Sequence, residues 1–265
     1  MAIRRQRIAD IVTLMAAMGI PGIISPIYAK SLPPPGGTFA LVAAAGSDDD
    51  ADAAPVLTVV ANLDKDGIPD LVEARAPQPG VPGNGELIVL LGRKDGSYVR
   101  SSVLPLSGSD PTSIVAGDFN RDGVSDVVIG YGNGSLTEFL GDGKGGLISA
   151  GEIAHVSSVV SIATADFNHD GKLDLAVSDS HTGTVSILLG DGAGSFGVSW
   201  SFRLPMPGSI YRLAAADFNH DGLVDLAVTN DDGDAYDVML GNGNGTFTES
   251  PELSHLKDPN AHCVA

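Results

Sequence analysis

The sequence predicts an all-β protein built from about four repeated sheets, each with four antiparallel strands. An oxygen-rich loop of the form DxNxDGxxD starts at Asp118, Asp166 and Asp217, and a variant, NLDKDGIPD, starts at Asn62. A glycine-rich signature follows each loop, and its first glycines are Gly92, Gly141, Gly190 and Gly241. Both signatures return about every fifty residues, a period typical of propellers and other repeat arrays.

Each repeat contains four short apolar segments separated by turns. In the third repeat, strands are expected at 173–178, at 184–189 and from about Ser195 onward. Glycine supplies the positive φ angles that tight turns between such strands need. Four antiparallel strands in succession form one propeller blade. We therefore expect blades at about 55–105, 112–155, 160–203 and 210–252.

The loops place oxygen-bearing side chains at alternate positions. Asp166, Asn168 and Asp170 alternate in the third loop, and the glycine that follows permits a left-handed turn of the backbone. Asp174 closes the loop, and the main-chain carbonyl of Lys172 falls where such loops supply a further oxygen. Hard oxygen donors without nitrogen or sulfur predict a Ca²⁺ site. Asp-Gly pairs are also ordinary turn formers, but four copies in one register favour metal binding.

A helical EF-hand is the alternative explanation of these loops. An EF-hand opens with the same residues but lies between helices and ends on a bidentate Glu at position twelve. Position twelve is Ile129, Val177 and Val228 in three loops, and it is acidic only in the first, at Glu73. The flanking apolar runs have the character of strands. The loops are therefore expected to connect strands.

The paired signatures DFNxDGxxDL and LLGxGxGxF resemble the FG-GAP or VCBS repeat family, the calcium-loop blades of integrin alpha-subunit heads and of many secreted bacterial proteins. The resemblance covers about residues 37–252 and implies a β-propeller that holds about four Ca²⁺ ions. The ligands expected at matching positions, with the seventh residue of each loop acting through its main-chain carbonyl, are Asn62, Asp64, Asp66, Ile68 and Asp70; Asp118, Asn120, Asp122, Val124 and Asp126; Asp166, Asn168, Asp170, Lys172 and Asp174; and Asp217, Asn219, Asp221, Leu223 and Asp225.

The resemblance implies a closed ring with more blades than the four counted here. Residues 37–45 look like an extra outer strand, the element with which a ring completes its last blade. The last unit, however, has an outer strand of its own after Gly245. We therefore expect an incomplete ring, and self-association through the blade faces that such a ring leaves uncovered.

The chain ends differ in composition from the repeats. Residues 1–29 carry three arginines, then an apolar run interrupted by prolines, which predicts a secretory signal peptide, with an uncleaved membrane anchor as the alternative. Residues 30–54 are expected to be a linker, and 253–265 a C-terminal tail. Cys263 is the single cysteine, so an internal disulfide is excluded and calcium would have to provide the cross-links.

Charge and motif content exclude several classes of function. A net charge of −18 and a pI near 4.4 argue against nucleic acid, because phosphates require Lys and Arg. The sequence has no GxSxG, HExxH or CxxC motif, and we identify no unit that breaks the repeat with a catalytic cluster. We therefore expect no enzymatic activity. The aromatic residues Phe119, Phe167 and Phe218 beside the loops are interpreted as core between blades in preference to sugar-stacking platforms.

These observations favour a secreted, calcium-stabilised module for adhesion or recognition, with a protein or glycan ligand. The alternatives are a carbohydrate-binding lectin propeller and the non-catalytic propeller part of a polysaccharide-degrading enzyme. Calcium-dependent binding to sugars would distinguish a lectin from a protein adhesin.

Overall fold

The computed structural model describes residues 40–41, 56–77, 83–108, 110–203, 211–230, 235–250 and 256–257. The predicted signal peptide 1–29, most of the linker 30–54, Cys263 and most of the tail 253–265 lie outside these residues. The described residues form strands and turns without a helix, so none of them supplies a helix that could span a membrane.

The strands follow one another along the chain in four groups. The first comprises β1 (Ala40–Leu41), β2 (Val56–Ala61), β3 (Asp70–Arg75), β4 (Glu86–Gly92) and β5 (Tyr98–Pro105). The second comprises β6 (Pro111–Gly117), β7 (Asp126–Tyr131), β8 (Ser135–Gly141) and β9 (Leu147–His155). The third comprises β10 (Val159–Ala165), β11 (Asp174–Asp179), β12 (Thr184–Gly190) and β13 (Phe196–Arg203). The fourth comprises β14 (Tyr211–Ala216), β15 (Asp225–Asn230), β16 (Ala235–Gly241), β17 (Phe247–Glu249) and β18 (Leu256–Lys257).

Each group forms one antiparallel sheet in which neighbours in sequence are neighbours in space. The sheet orders are β1-β2-β3-β4-β5, β6-β7-β8-β9, β10-β11-β12-β13 and β14-β15-β16-β17, with β18 also paired to β16. This up-and-down order is that of a propeller blade. The predicted all-β fold with about four blades is therefore confirmed, and the four sheets are called blades one to four below.

The strand that precedes the oxygen-rich loop in each blade, β2, β6, β10 or β14, lies at the inner side of the array and is called the inner strand. Strand β2 packs against β6, β6 against β10, and β10 against β14. Two serine hydroxyls bridge these inner strands: Ser113 Oγ accepts from the Ile162 N–H at 3.0 Å, and Ser161 Oγ accepts from the Leu213 N–H at 3.2 Å. Within the described chain, β14 and β2 do not pack together in this way, so the array is open.

Apolar side chains fill the spaces between successive blades. One cluster joins blades one and two, a second joins blades two and three, and a third joins blades three and four. Phe119 packs edge-on against Phe196 of the next blade, with ring centroids 5.5 Å apart, and Phe167 packs likewise against Phe247 at 5.6 Å. Both rings are buried, as is Phe218. The interpretation as interblade core is confirmed for Phe119 and Phe167. Phe218 packs with Ala214, Ala227 and Val238 inside blade four. Because all three rings are buried, they are not available to stack on a sugar.

Two segments at the ends of the array differ from the sequence prediction. The strand expected within 37–45 lies beside the inner strand β2, with Ala40 opposite Val59, and is not an outer strand. Its register is set by backbone pairing with the free edge of β2. The expected tail 253–265 also contributes structure, because Leu256–Lys257 pairs with β16 beyond the end of β17. Strand β18 thereby extends the outer edge of blade four.

Candidate metal centre

The four oxygen-rich loops lie at one end of the blades. Each joins the inner strand of its blade to the strand that follows it, so the predicted strand–loop–strand context is present and the helical EF-hand is excluded for these loops. Counted from the inner strand, the glycine-rich turns join the third strand to the fourth, which places them at the same end of the meander. Eight connections of two kinds therefore form one face of the array, which we call the loop face.

The four loops share one backbone conformation. Position one below denotes the first residue of each motif, Asn62, Asp118, Asp166 or Asp217. The glycine at position six has φ between 77° and 89° in all four loops. The residue at position four is also left-handed although it is not glycine, with φ between 60° and 64° at Lys65, Arg121, His169 and His220. This repeated geometry winds each loop tightly enough for alternate side chains to meet.

The side chains of positions one and three converge on the backbone of position five. In the third loop, Asp166 Oδ1 and Asn168 Oδ1 both accept the N–H of Asp170, each at 3.0 Å. Asp166 Oδ2 accepts the N–H of Gly171 at 2.8 Å, and Asp170 Oδ1 accepts that of Lys172 at 3.0 Å. The second and fourth loops repeat these four contacts at 2.8 to 3.1 Å.

The closing aspartate at position nine has a different environment. Asp174 is fully buried, and its Oδ2 accepts the Phe167 N–H at 2.9 Å while its Oδ1 accepts the Gly190 N–H at 2.8 Å. Gly190 opens the glycine-rich signature, so one carboxylate links the two signatures of the repeat. The equivalent residues make the same pair of contacts and are also fully buried; they are Asp70, Asp126 and Asp225.

Burial changes the acidity of the closing aspartates. Removal from water raises the pKa of Asp126 and of Asp174 to about 6, against the opposing effect of the backbone N–H donors. Burial also raises the pKa of Asp70 and Asp225 above the ordinary value. The pKa of the exposed Asp170 shifts in the other direction. Burial is the largest single influence and raises this pKa, but the hydrogen bonds from Lys172 and Asn168 together outweigh burial and lower the pKa.

The first loop departs from the other three at position one. Asn62 replaces aspartate there, and its Oδ1 is buried without a hydrogen-bond partner within the described structure. Asp64 Oδ1 alone accepts the Asp66 N–H, at 3.1 Å, and Asp66 Oδ1 accepts the Ile68 N–H at 2.7 Å. A buried amide oxygen without a donor is costly, and a cation is one partner that would satisfy it.

Neighbouring blades are tied together across the loop face. Lys65 Nζ donates to the carbonyl oxygen of Asp122 at 2.9 Å and so bridges the first and second loops. The carbonyl of Leu63 accepts from the Gly145 N–H of the next blade at 3.1 Å, and the carbonyl of Phe167 accepts from the Gly245 N–H at 3.0 Å. In the first and third loops, the residue at position two therefore contacts the following blade with both its side chain and its carbonyl.

The donor set of the loops fits a calcium-like cation in part. Positions one, three and five bring two carboxylates and one amide oxygen together in loops two to four, all hard oxygen donors. Across the described ranges, no group of three or more His, Cys, Asp or Glu side chains forms a ready metal cluster. The reason is that position nine is turned toward backbone amides, so only two carboxylates converge in each loop. All twenty predicted ligand residues are in the described loops, and their ligand role stays a prediction.

Sequence reasoning missed two features of this face. The first is the backbone-binding role of the closing aspartates, which the strict pairing of the two signatures could have indicated. The second is Glu138, an acid on β8 at a position where other blades carry valine or isoleucine. Glu138 thus interrupts the apolar pattern of the repeat at one position of blade two, and it is considered below.

A fold of four-stranded blades with one oxygen-rich loop each defines a propeller-type repeat protein. The model of the FG-GAP-like repeat matches residues 62–129, 125–177 and 173–228, and that of the FG-GAP repeat matches 209–248. The chain therefore belongs to the FG-GAP repeat family.

The chain is also similar to a solved structure described as the crystal structure of BBS1N in complex with ARL6DN, soaked with lead. The identity is 16%, the TM-score is 0.48, and the match covers 83% of this chain and 57% of that one. The present chain thus spans a little over half the length of that relative. A comparison with curated proteins gives no match.

Proposed function

We propose that this protein is a secreted, calcium-binding recognition module that binds a partner protein through its loop face. The observation that carries the proposal is the collection of all four oxygen-rich loops at one end of the blades, where they share one backbone conformation. Repeated loops held by a rigid scaffold are a common basis for recognition.

Calcium would be held by the side-chain oxygens of positions one, three and five together with the carbonyl of position seven. The ion supplies a multivalent cross-link that fixes each loop. Position nine contributes by holding the base of the loop, since its carboxylate already binds the backbone of both signatures. Through its hydrogen bond to the Asp122 carbonyl, Lys65 would couple the ordering of the second loop to that of the first.

Export from the cell is the second part of the proposal. The N-terminal segment, which is first arginine-rich and then apolar, supports export. Loop calcium sites of moderate affinity also suit calcium-rich extracellular conditions. The single cysteine is a third argument. A chain without internal disulfides needs another source of cross-links outside the cell, and four metal loops would supply it.

A protein partner is favoured over a sugar by the aromatic residues of the loop face. Phe119, Phe167 and Phe218, which flank the first ligand position, are buried and cannot offer a ring to a sugar. We expect fluorescently labelled protein to bind intact cells of the producing organism in 1 mM Ca²⁺ and to give no calcium-dependent signal on a glycan array. Protease treatment of the cells should remove the binding, whereas glycosidase treatment should preserve it.

The test variant for that experiment is Asp221→Ala in the fourth loop. Its matched control is Asp110→Ala, because Asp110 lies outside all four loops. Asp221→Ala should weaken cell binding, while Asp110→Ala should not. A calcium-dependent glycan signal would favour the lectin, and binding that persists unchanged in EGTA would contradict a calcium-ordered recognition face.

We also propose reversible self-association through the open end of the array. Val60 on β2 is 41% exposed, whereas its equivalent on β6, Ala116, is 1% exposed because blade one covers it. Glu73 and Arg75 form an ion pair on the same side of blade one, where blade two carries Ile129 and Tyr131. The face is therefore part apolar and part charged, which is typical of an array end and suits a weak contact better than an obligate one.

Sedimentation analysis over a hundredfold range of concentration would test this self-association. We expect the wild-type mass to rise toward that of a dimer, and Val60→Asp to remain monomeric because a charge on the contact face would have to be buried. Val103→Asp, which changes an exposed apolar residue on the outer strand β5, is the control and should behave as wild type. A wild-type monomer at every concentration would contradict the proposal.

A further inference from the structure

Glu138 is an acidic residue at an otherwise apolar position of the repeat. It lies on β8, opposite Val128 of β7 and Gly151 of β9. The equivalent positions, three residues before the first glycine of each glycine-rich signature, are Val89, Ile187 and Val238. Those three side chains are fully buried, and Glu138 is only 1% exposed. The second blade therefore places a carboxyl group where its neighbours place hydrocarbon.

The carboxyl group of Glu138 faces the glycine-rich turn of the third blade. Its Oε2 is 3.1 Å from the point that a Cβ on Gly194 would occupy, so the absence of a side chain at Gly194 makes room for it. Its Oε1 is buried and has no hydrogen-bond partner in the described part of the chain. None of the ion pairs formed among the described residues includes Glu138.

Two further carboxylates act on the carboxyl group of Glu138. Burial, and then the nearby carboxylates of Asp126 and Asp191, raise the pKa of Glu138 to about 7. The basic side chains at this turn, Arg121 and Lys172, pack with their Cδ atoms against Gly192. A buried carboxylate with an unsatisfied oxygen and further carboxylates beside it must bind a proton or a cation to be stable.

We propose that Glu138 is the main side-chain ligand of an additional divalent cation, of the Ca²⁺ class, held between blades two and three. A hard divalent cation is proposed because a carboxylate is a hard oxygen donor. It would join the interior of blade two to the turn of blade three that contains Gly194. This site is separate from the four loop sites, since Glu138 belongs to β8 and to none of the loops. The inference therefore goes beyond the proposed function and does not depend on it.

The experiment counts bound Ca²⁺ by native mass spectrometry in the wild-type protein, in Glu138→Val and in Glu138→Gln. Valine is the residue that blades one and four carry at this position. We expect both variants to bind one ion fewer than the wild-type protein. Glu152→Gln, a change to an exposed glutamate of the same blade, is the matched control and should leave the count unchanged.

Thermal unfolding in EGTA gives a second readout. We expect Glu138→Val to melt several degrees above the wild-type protein without calcium, because the variant removes an uncompensated buried carboxyl group. Its gain in Tm on addition of Ca²⁺ should be smaller than that of the wild-type protein.

An equal ion count in the wild-type protein and both variants would overturn the proposal and leave a protonated glutamate as the explanation. If the loops bind no calcium, the wild-type count falls to one while the difference of one ion persists, so failure of the two proposals can be distinguished.

Discussion

Chelation of calcium with EGTA is expected to lower the Tm of this protein by more than about ten degrees. A ligand that binds only the folded state stabilises it by about 2.7 kcal/mol per site when its concentration is a hundred times the Kd. A domain of this size loses roughly 2 to 4 °C of Tm per kcal/mol. The contribution of four loops would therefore exceed ten degrees even if one loop, such as the variant at Asn62, bound weakly.

Differential scanning calorimetry in 1 mM Ca²⁺ and in excess EGTA measures this effect. Addition of excess Ca²⁺ to the chelated protein should restore the original Tm. Mg²⁺ should restore a smaller part of the lost Tm, because Mg²⁺ requires near-octahedral geometry and gives up its water reluctantly. Equal melting temperatures with and without EGTA would show that the loops do not depend on metal for their stability.

Asp174→Ala is expected to destabilise the protein by roughly 2 to 6 kcal/mol even in EGTA, because about 1 to 3 kcal/mol is lost for each buried donor left without a partner. The two donors are the N–H groups of Phe167 and Gly190, which lie 2.9 and 2.8 Å from the carboxylate. Neither has an obvious substitute acceptor, since Asp174 is fully buried. Urea unfolding followed by circular dichroism would measure the change.

Asp170→Ala is the matched control in the same loop. Asp170 is exposed, and its hydrogen bonds are to Asn168 and Lys172 on the loop surface. In EGTA this variant should lie within about 1 kcal/mol of the wild-type protein, as is usual for exposed polar contacts. In calcium it should lose the stabilisation of the third loop. Equal effects of the two substitutions in EGTA would refute the separation of roles between positions five and nine.

The repeat and its strands could be predicted because their signals are local. The expected strands 173–178 and 184–189 correspond to β11 at Asp174–Asp179 and β12 at Thr184–Gly190. Short apolar runs and the spacing of glycines indicate where such strands begin and end. The left-handed glycine at position six was predictable for the same reason, since it follows from the tight loop alone.

Features that depend on contacts between separate loops, turns and strands are not visible in any one motif. Within the loop motif alone, nothing distinguishes Asp174 from the carboxylates at positions one and five. Its backbone role emerges only when the loop is considered together with Gly190, 16 residues further on. The left-handed conformation of Lys65 brings its amine to the second loop, a contact between residues 57 apart in sequence. The position of Ala40–Leu41 beside β2 likewise depends on a free inner edge that only the assembled array defines.

A crystal structure obtained in calcium, with anomalous diffraction collected at long wavelength, tests the central claim most directly. The account predicts an anomalous peak in each of the four loops, with the oxygens of positions one, three and five at roughly 2.3 to 2.6 Å from the ion. Loops that keep the wound conformation in saturating calcium but show no anomalous density would contradict it, because the repeated oxygens would then serve the backbone alone.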